Sequence, residues 1–318
     1  MGTRVVAADE AGIAEAAAVI RRGGLVAFPT ETVYGLGANA LDEVAALGIF
    51  TAKRRPADDP LIVHLCDAGE LGRVAARLGP VDRLVDRFWP GPLTLVLPRA
   101  PSVPRVVTAG RDTVAVRVPA HPVARRLIEA VGVPIAAPSA NLFGRPSPTT
   151  AAHVLEDLGG RIDLVVDGGP TTVGVESTVL DLTSEPPTIL RPGGVPIEEL
   201  RAVLPTVVAR QTSAQDARSP GTALRHYSPR ARVDLFTEET PDERLEVHVR
   251  DRERAGERVA VLRLPAEPTE AAQELFAALR QLDATRPDVI VARLPPPGGL
   301  GAALRDRLRR AANGRVLT

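Results

Sequence analysis

The sequence predicts an α/β protein in two parts joined by a patternless stretch. Three observations carry this reading. Short apolar runs of strand length alternate with amphipathic, helix-length segments from residue 9 to about 203. The periodicity fades over 206–231, where ARQTSAQDARSPGTALRHYSPRAR is polar and without period. After that the chain resumes as a compact β-α-β-α-β-α unit, the pattern of a small parallel sheet. The expected division is a larger domain over 1–206, a linker over 207–231 and a smaller domain over 232–318.

Taken in order, residues 9–22 form a helix with Asp9 at its N-cap and Ala-rich turns. Gly23-Gly24 stops it, and 25–28 is a short buried strand closed by Pro29. Asp42 caps a second helix to about Lys53, before Pro56. A strand follows at 61–65, then helical stretches at 67–78 and 80–88. Trp89-Pro90-Gly91-Pro92 is a rigid turn leading to a strand at 93–97. Residues 113–118 alternate as a strand does. A helix spans 122–131, and a short strand at 135–137 runs into Pro138-Ser139-Ala140-Asn141. A helix after Thr149 and a strand at 164–166 come next, then strands at 175–182 and 188–190 and a helix at 196–203. In the smaller unit, strands at 233–236, 259–264 and 289–294 alternate with helices at 240–253, 269–283 and 299–312. The first part alternates too irregularly for a simple doubly wound sheet.

Composition narrows the function. With 44% hydrophobic and 25% charged residues over 318 positions, the chain is globular and can bury a sizeable core. A formal net charge of zero argues against wholesale nucleic-acid binding but leaves room for a local basic basin. The single cysteine, Cys66, forbids an internal disulfide and a multi-cysteine zinc site. No apolar run approaches membrane-spanning length and no signal peptide opens the chain, so a cytoplasmic protein without membrane contact is expected.

Six clusters can carry chemistry. The first is Thr30-Glu31-Thr32 with Tyr34, Gly35 and Gly37, just past a buried strand; it suits a ligand, or it is a hairpin whose polar groups satisfy turn amides. Lys53-Arg54-Arg55 is either a favourable set of cations at a helix C-terminus or a triphosphate clamp. Thr113, Ala115 and Arg117 share one strand face, so Arg117 either faces solvent or holds a carboxylate. The Ser139–Asn141 loop with Ser147 and Thr149 can bind a nucleotide or simply start a helix. Glu176-Ser177-Thr178 sits inside an apolar strand and needs partners there. Arg225, His226 and Tyr227 cluster within the linker, as a segment packing over something would. There is no P-loop, HExxH, GxSxG or CxxC signature.

PTETVYGLG, KRR followed by PLIVHL, FWPGPLTLVL, PSAN, VESTVLDL, RPG and the linker SPGTALRHYSP, in this order, resemble the YrdC-like threonylcarbamoyl-AMP synthases in their long, two-domain form. The likeness is dense over 23–194, clear at 219–229 and only architectural beyond. It implies a twisted mixed sheet with a concave basic basin. It also implies an enzyme that joins L-threonine, bicarbonate or CO2 and ATP into threonylcarbamoyl-adenylate and pyrophosphate, with Mg²⁺ accompanying ATP. The product would be handed to a tRNA threonylcarbamoyltransferase complex, with weak tRNA contact at most. By motif match, Thr32, His64, Arg117, Ala137 and Ser177 would bind threonine. Lys53 and Arg55 would hold phosphates as the catalytic cations, and Asp59, Thr113, Ser139, Asn141, Ser147, Arg191 and Tyr227 would serve the nucleotide. Asp59 stands where the family usually has Asn, which opposes direct phosphate contact unless a metal intervenes. Metal ligands are not assigned. Tyr227 is a candidate lid residue over a water-labile carbamate. Two other readings compete: an RNA-binding module using the basic basin, which the 3% aromatic content weighs against, and an enzyme using another carbamoyl source.

Overall fold

The structure is a computed structural model that describes residues 2–77, 79–210 and 227–317. The linker residues Arg225 and His226 singled out above, with the SPGTALRH part of the linker motif, lie outside the described residues. In chain order the larger unit contains β1 (Arg4–Ala7), α1 (Glu10–Arg21), β2 (Val26–Pro29), β3 (Tyr34–Asn39), α2 (Glu43–Lys53) and β4 (Ile62–His64). It continues with α3 (Val81–Phe88), β5 (Leu93–Pro98), β6 (Thr113–Arg117), α4 (Pro122–Val131), β7 (Ile135–Ala136), α5 (Ala151–Leu158) and β8 (Leu164–Asp167). It ends with β9 (Thr178–Asp181), β10 (Thr188–Arg191), α6 (Ile197–Val203) and β11 (Val208–Ala209). The smaller unit has β12 (Arg232–Phe236), α7 (Asp242–Arg254), β13 (Val259–Val261), α8 (Pro268–Ala284), β14 (Val289–Arg293), α9 (Gly301–Ala311) and β15 (Val316–Leu317).

The larger unit is one mixed sheet of eleven strands, in the order β1-β8-β2-β3-β7-β4-β6-β5-β9-β10-β11. Its last strand runs to Ala209, past the boundary expected at 206, because β11 pairs in parallel with β10. Helices α1 and α4 pack on one face around Ile20, Val26, Phe28 and Leu127. The larger core on the other side gathers α2, α3 and α5 against Leu36, Val63, Leu95 and Val116. Caps set the helix starts as the sequence requires: Asp9 accepts from the Gly12 N–H, and Asp42 from those of Val44 and Ala45. The stretch expected to be helical over 67–78 is instead a 3-10 turn at Ala68–Arg73. The chain leaves it because Ala75 bridges to Arg99 and the Ala76 N–H bonds the Pro98 carbonyl, extending the edge of β5.

The smaller unit is a four-stranded, all-parallel sheet in the order β13-β14-β12-β15. Its core does not stop at its own boundary. Val33, Val175 and Tyr227 belong to the same buried cluster as Leu275, Phe276 and Leu304. At Gly174 (φ +79°) a Cβ would meet the Ala272 carbonyl at 2.2 Å, so only glycine lets α8 approach this closely.

Candidate active site

The β2–β3 hairpin delivers the first cluster. The strands pair antiparallel from Val26↔Gly37 to Pro29↔Tyr34, leaving Thr30–Val33 at the turn. Both readings of this stretch hold, for different residues. The Thr30 hydroxyl serves the turn, donating to the Val33 carbonyl at 2.6 Å. Thr32 faces inward, and its Oγ1 accepts a hydrogen bond from Arg117 Nη1 at 3.0 Å. Tyr34 leaves the cluster; its hydroxyl donates to the Gly169 carbonyl at 2.7 Å.

Arg117 ends β6, which pairs in parallel with β4 so that His64 lies directly beside it. The guanidinium is buried. It donates from Nε to the Gly91 carbonyl at 3.0 Å and pairs through Nη2 with Glu31 Oε1 at 2.5 Å. Burial alone would raise the Glu31 carboxyl; the Arg117 charge, together with hydrogen bonds from Arg117 and the backbone, more than offsets this and holds it below the usual range. Burial and the Arg117 charge push the His64 imidazole down to about 3, so it is neutral throughout the working pH range. Ala137 sits just past β7, with its N–H bonded to the Ile62 carbonyl at 2.8 Å.

Glu176 and Ser177 are not inside a strand, as expected from the sequence, because β9 begins only at Thr178. Gly193 packs onto their backbone, where a Cβ would lie 2.3 Å from the Glu176 carbonyl oxygen. The Gly194 N–H bonds that same carbonyl at 3.0 Å. Ser177 Oγ shares a 2.7 Å hydrogen bond with Thr94 Oγ1, and Arg191 Nη2 donates to the Ser177 carbonyl at 2.9 Å.

These groups converge on one cavity. Thr32, His64, Arg117, Ala137, Ser139, Ser177, Arg55, Arg191 and Tyr227 all line it. Its free volume of about 40 Å³ takes a few waters and not ATP. Tyr227 is completely buried, with its ring centroid 5.3 Å from that of Phe276 and the Arg307 guanidinium 5.1 Å from its ring centre. The basic basin is therefore present but small, with Arg55, Arg117 and Arg191 all buried.

Other expected residues stand behind the wall or at a distance. Lys53 does not line the cavity. Its ammonium is buried and donates to the carbonyls of Ser139 and Asn141, each at 2.5 Å, which fixes the loop that carries Ser139. Burial drives the Lys53 ammonium well below its ordinary range. Asn141 uses its amide within the loop, donating to the carbonyls of Leu142 and Arg145. Ser147 donates to Glu176 Oε1 at 2.5 Å. Asp59 pairs with Arg55 at 2.8 Å through Oδ1, while its Oδ2 is buried without a hydrogen-bond partner. Thr113 opens β6, four residues from Arg117 and so roughly 13 Å along the strand. Between them, the same sheet face carries an apolar strip of Ile62, Val96, Ala115, Val179 and Leu190.

Sequence reasoning missed the contribution of the smaller unit. Arg307 of α9 is completely buried and donates to Glu176 Oε2 at 2.8 Å and to the Pro192 carbonyl at 3.0 Å. Burial alone would raise the Glu176 carboxyl; Arg307 and Arg191, with the Ser147 hydroxyl, hold it below the usual range instead. Arg280 of α8 donates to the Pro146 carbonyl at 2.5 Å and to Asp157 Oδ2 at 2.7 Å, bracing the loop from Ser139 to Ser147. A signal existed for both. Leu304, Arg307, Leu308 and Ala311 share one helix face, as do Phe276, Leu279, Arg280 and Asp283, which puts an arginine on an apolar stripe.

Comparisons with known proteins agree with this architecture. A family profile described as telomere recombination matches residues 18–193, and one described as the threonylcarbamoyl-AMP synthase C-terminal domain matches 195–313. The chain is 48% identical to a threonylcarbamoyl-AMP synthase of Pyrococcus abyssi, over 97% of this chain and 96% of the relative. It is 45% identical to a threonylcarbamoyl-AMP synthase of Bacillus subtilis, over 99% and 97%. Among solved structures, that of P. abyssi Sua5 complexed with L-threonine superposes with a TM-score of 0.96, at 46% identity and 99% coverage of both chains.

Proposed function

The chain belongs to the threonylcarbamoyl-AMP synthase family and is an enzyme of threonylcarbamoyl-adenylate formation, and we propose that it works as a nucleotidyltransferase using L-threonine, bicarbonate or CO2, and ATP. The observation that carries the site assignment is the convergence of Thr32, His64, Arg117 and Ser177 with Arg55, Ser139 and Arg191 on one cavity. The first four suit an amino acid; the last three suit a triphosphate. Arg117 is the carboxylate anchor, since its guanidinium lines the pocket beside Thr32 and His64. Ala137 contributes backbone to the threonine pocket.

Threonine's ammonium loses a proton, and the free amine attacks CO2 to give a carbamate with loss of a second proton; from bicarbonate, water leaves. A carbamate oxygen then attacks the α-phosphorus of ATP, and the bond to pyrophosphate breaks. No covalent enzyme intermediate is required, so the site supplies position and charge. His64, neutral, accepts a hydrogen bond from threonine but does not retain its proton. Arg55 and Arg191 face the negative charge that builds on the phosphates. Lys53 acts on them through the Ser139–Asn141 loop. Thr113 lies at the far end of the apolar strip, along which the nucleoside would extend. Tyr227 must withdraw for ATP to enter and return to exclude water.

Mg²⁺ would arrive on the triphosphate. Among the described residues no group of three or more His, Cys, Asp or Glu side chains could cage a metal. The orphaned Asp59 Oδ2 is the protein oxygen suited to reach such a cation, which would explain a carboxylate at this position. When bound, the ion neutralises phosphate charge.

Hand-off to a tRNA threonylcarbamoyltransferase complex in the cytoplasm, with weak tRNA contact at most, completes the reading. Among the described residues no helix is long and apolar enough to cross a membrane. Arg55, Arg117 and Arg191 are buried and are not displayed for an RNA backbone, which disfavours a binding module. The test is chromatographic detection of threonylcarbamoyl-adenylate from ATP, bicarbonate and L-threonine. Its formation, and its absence when L-serine or glycine replaces threonine at equal concentration, is expected. AMP formation without a threonine adduct would refute the reading.

A further inference from the structure

Strand β5 carries a polar side chain that its own position does not explain. Thr94 is completely buried, and β5 lies inside the sheet, between β6 and β9. By the strand alternation Thr94 shares a face with Val96, which belongs to the apolar strip with Ile62, Ala115, Val179 and Leu190. Valine would serve a strand on that strip as well as threonine does, without a hydroxyl to bury. Thr94 does not line the cavity. Its hydroxyl meets Ser177 Oγ at 2.7 Å, and Ser177 does line it.

Hydrogen-bond capacity decides which way the protons point at this contact. Arg191 can only donate, and its Nη2 reaches Ser177 Oγ at 3.2 Å. Among the described residues, Ser177 Oγ is the acceptor that meets the Thr94 hydroxyl. A buried hydroxyl proton without an acceptor is costly, so Thr94 donates. Both lone pairs of Ser177 Oγ are then filled, one by Arg191 and one by Thr94. Its own proton is left over, and the open side is the cavity. The Ser177 main chain is held as well: Arg191 Nε and Nη2 donate to its carbonyl at 3.2 and 2.9 Å, and Gly193 packs against it.

We propose that Thr94 is a positioning residue: it fixes the Ser177 hydroxyl as a donor aimed into the cavity, toward an anionic oxygen of the amino-acid substrate. That oxygen belongs to the carboxylate of threonine or to the carbamate formed from it, two sources of one acceptor chemistry. With its lone pairs taken, Ser177 does not hold the threonine ammonium. A donor oriented in advance needs no reorientation as negative charge builds. The inference rests on the reading of this cavity as the threonine site.

The test compares Thr94→Val, Thr94→Cys, Thr94→Ser, Ser177→Ala and the Thr94→Val/Ser177→Ala double variant in the full chain, each checked for folding by circular dichroism. Calorimetric titration with L-threonine gives Kd; pyrophosphate release gives kcat and KM for threonine, bicarbonate and ATP. Thr94→Val and Thr94→Cys, which lack a strong donor, should raise the threonine Kd or lower kcat/KM for threonine about tenfold. Thr94→Ser should stay near wild type, and KM for ATP should not move. Adding Thr94→Val to Ser177→Ala should cost nothing more in either constant. A raised threonine Kd puts the hydroxyl on the carboxylate; an unchanged Kd with a lower kcat or a higher KM for bicarbonate puts it on the carbamate. Unaltered constants in the valine and cysteine variants, a serine variant as impaired as they are, or losses that add to those of Ser177→Ala overturn the proposal. A wild type that neither binds nor requires threonine would instead overturn the reading of the cavity itself.

Discussion

Arg307→Met is the most informative single substitution. The side chain is completely buried, and its guanidinium bonds Glu176 at 2.8 Å, Asp306 at 2.6 Å and the Pro192 carbonyl at 3.0 Å while covering the Tyr227 ring. Methionine keeps much of the volume but none of the charge, leaving Glu176 a buried carboxylate short of a counter-ion. Breaking a buried pair in this way costs about 3–5 kcal/mol. For a chain of this size that is a fall in Tm of roughly 4–8 °C. The pH dependence adds a second signature. In the wild type the Glu176 carboxyl lies below its ordinary value, so it adds stability above about pH 4.5 that is lost as pH falls through the folded-state value. In the variant burial dominates and lifts the carboxyl above that value, so its contribution is lost as pH rises. The deficit of Arg307→Met should therefore be larger at pH 7.5 than at pH 4.5. The assay is denaturant unfolding of wild type, Arg307→Met, Glu176→Gln and the double variant at both pH values. A favourable coupling of about 2–3 kcal/mol is expected. Additive single effects, or a deficit independent of pH, would refute the argument that Arg307 acts by neutralising Glu176.

Other outcomes follow from the same geometry. With the His64 imidazole held at about 3, kcat/KM for threonine should show no inflection near pH 6.5 that His64→Gln removes, and the wild type should lose about 1.4 kcal/mol of stability per pH unit below 6.5 relative to that variant. Tyr227→Ala opens the cavity, so free ATP should hydrolyse or the adenylate escape faster, alongside a fall in Tm from the lost buried ring; unaltered turnover and release would remove Tyr227 as a lid residue. Lys53→Met leaves the carbonyls of Ser139 and Asn141 without a donor and should cost about 1–3 kcal/mol in unfolding while raising KM for ATP more than KM for threonine. A change in kcat alone, with full stability, would instead put Lys53 on the reacting phosphates.

Much of this was legible in the sequence because its signals are local. Asp9 and Asp42 cap the helices they precede, and the alternation at Thr113–Arg117 set Arg117 beside His64 once β4 and β6 paired. The strand assumed through Glu176 failed because the partner that bends it, Gly193, is distant in sequence and its role is steric. The stretch after Asp67 looked helical by composition, but its backbone is drawn off by the edge of β5. Lys53 read as a clamp by type and position; which carbonyls it meets depends on how α2 docks against the loop after β7. Arg280 and Arg307 were hardest to see, since their partners lie more than a hundred residues away in the other sheet's domain.

The central claim is that one cavity joins threonine to ATP, with Arg117 holding the amino acid. The direct measurement is pyrophosphate release from ATP with bicarbonate, with and without L-threonine, in wild type and Arg117→Lys. The account predicts threonine-dependent release in the wild type and, in the variant, a KM for threonine raised at least about tenfold with KM for ATP little changed. Release that does not require threonine, or a variant indistinguishable from wild type, would contradict it.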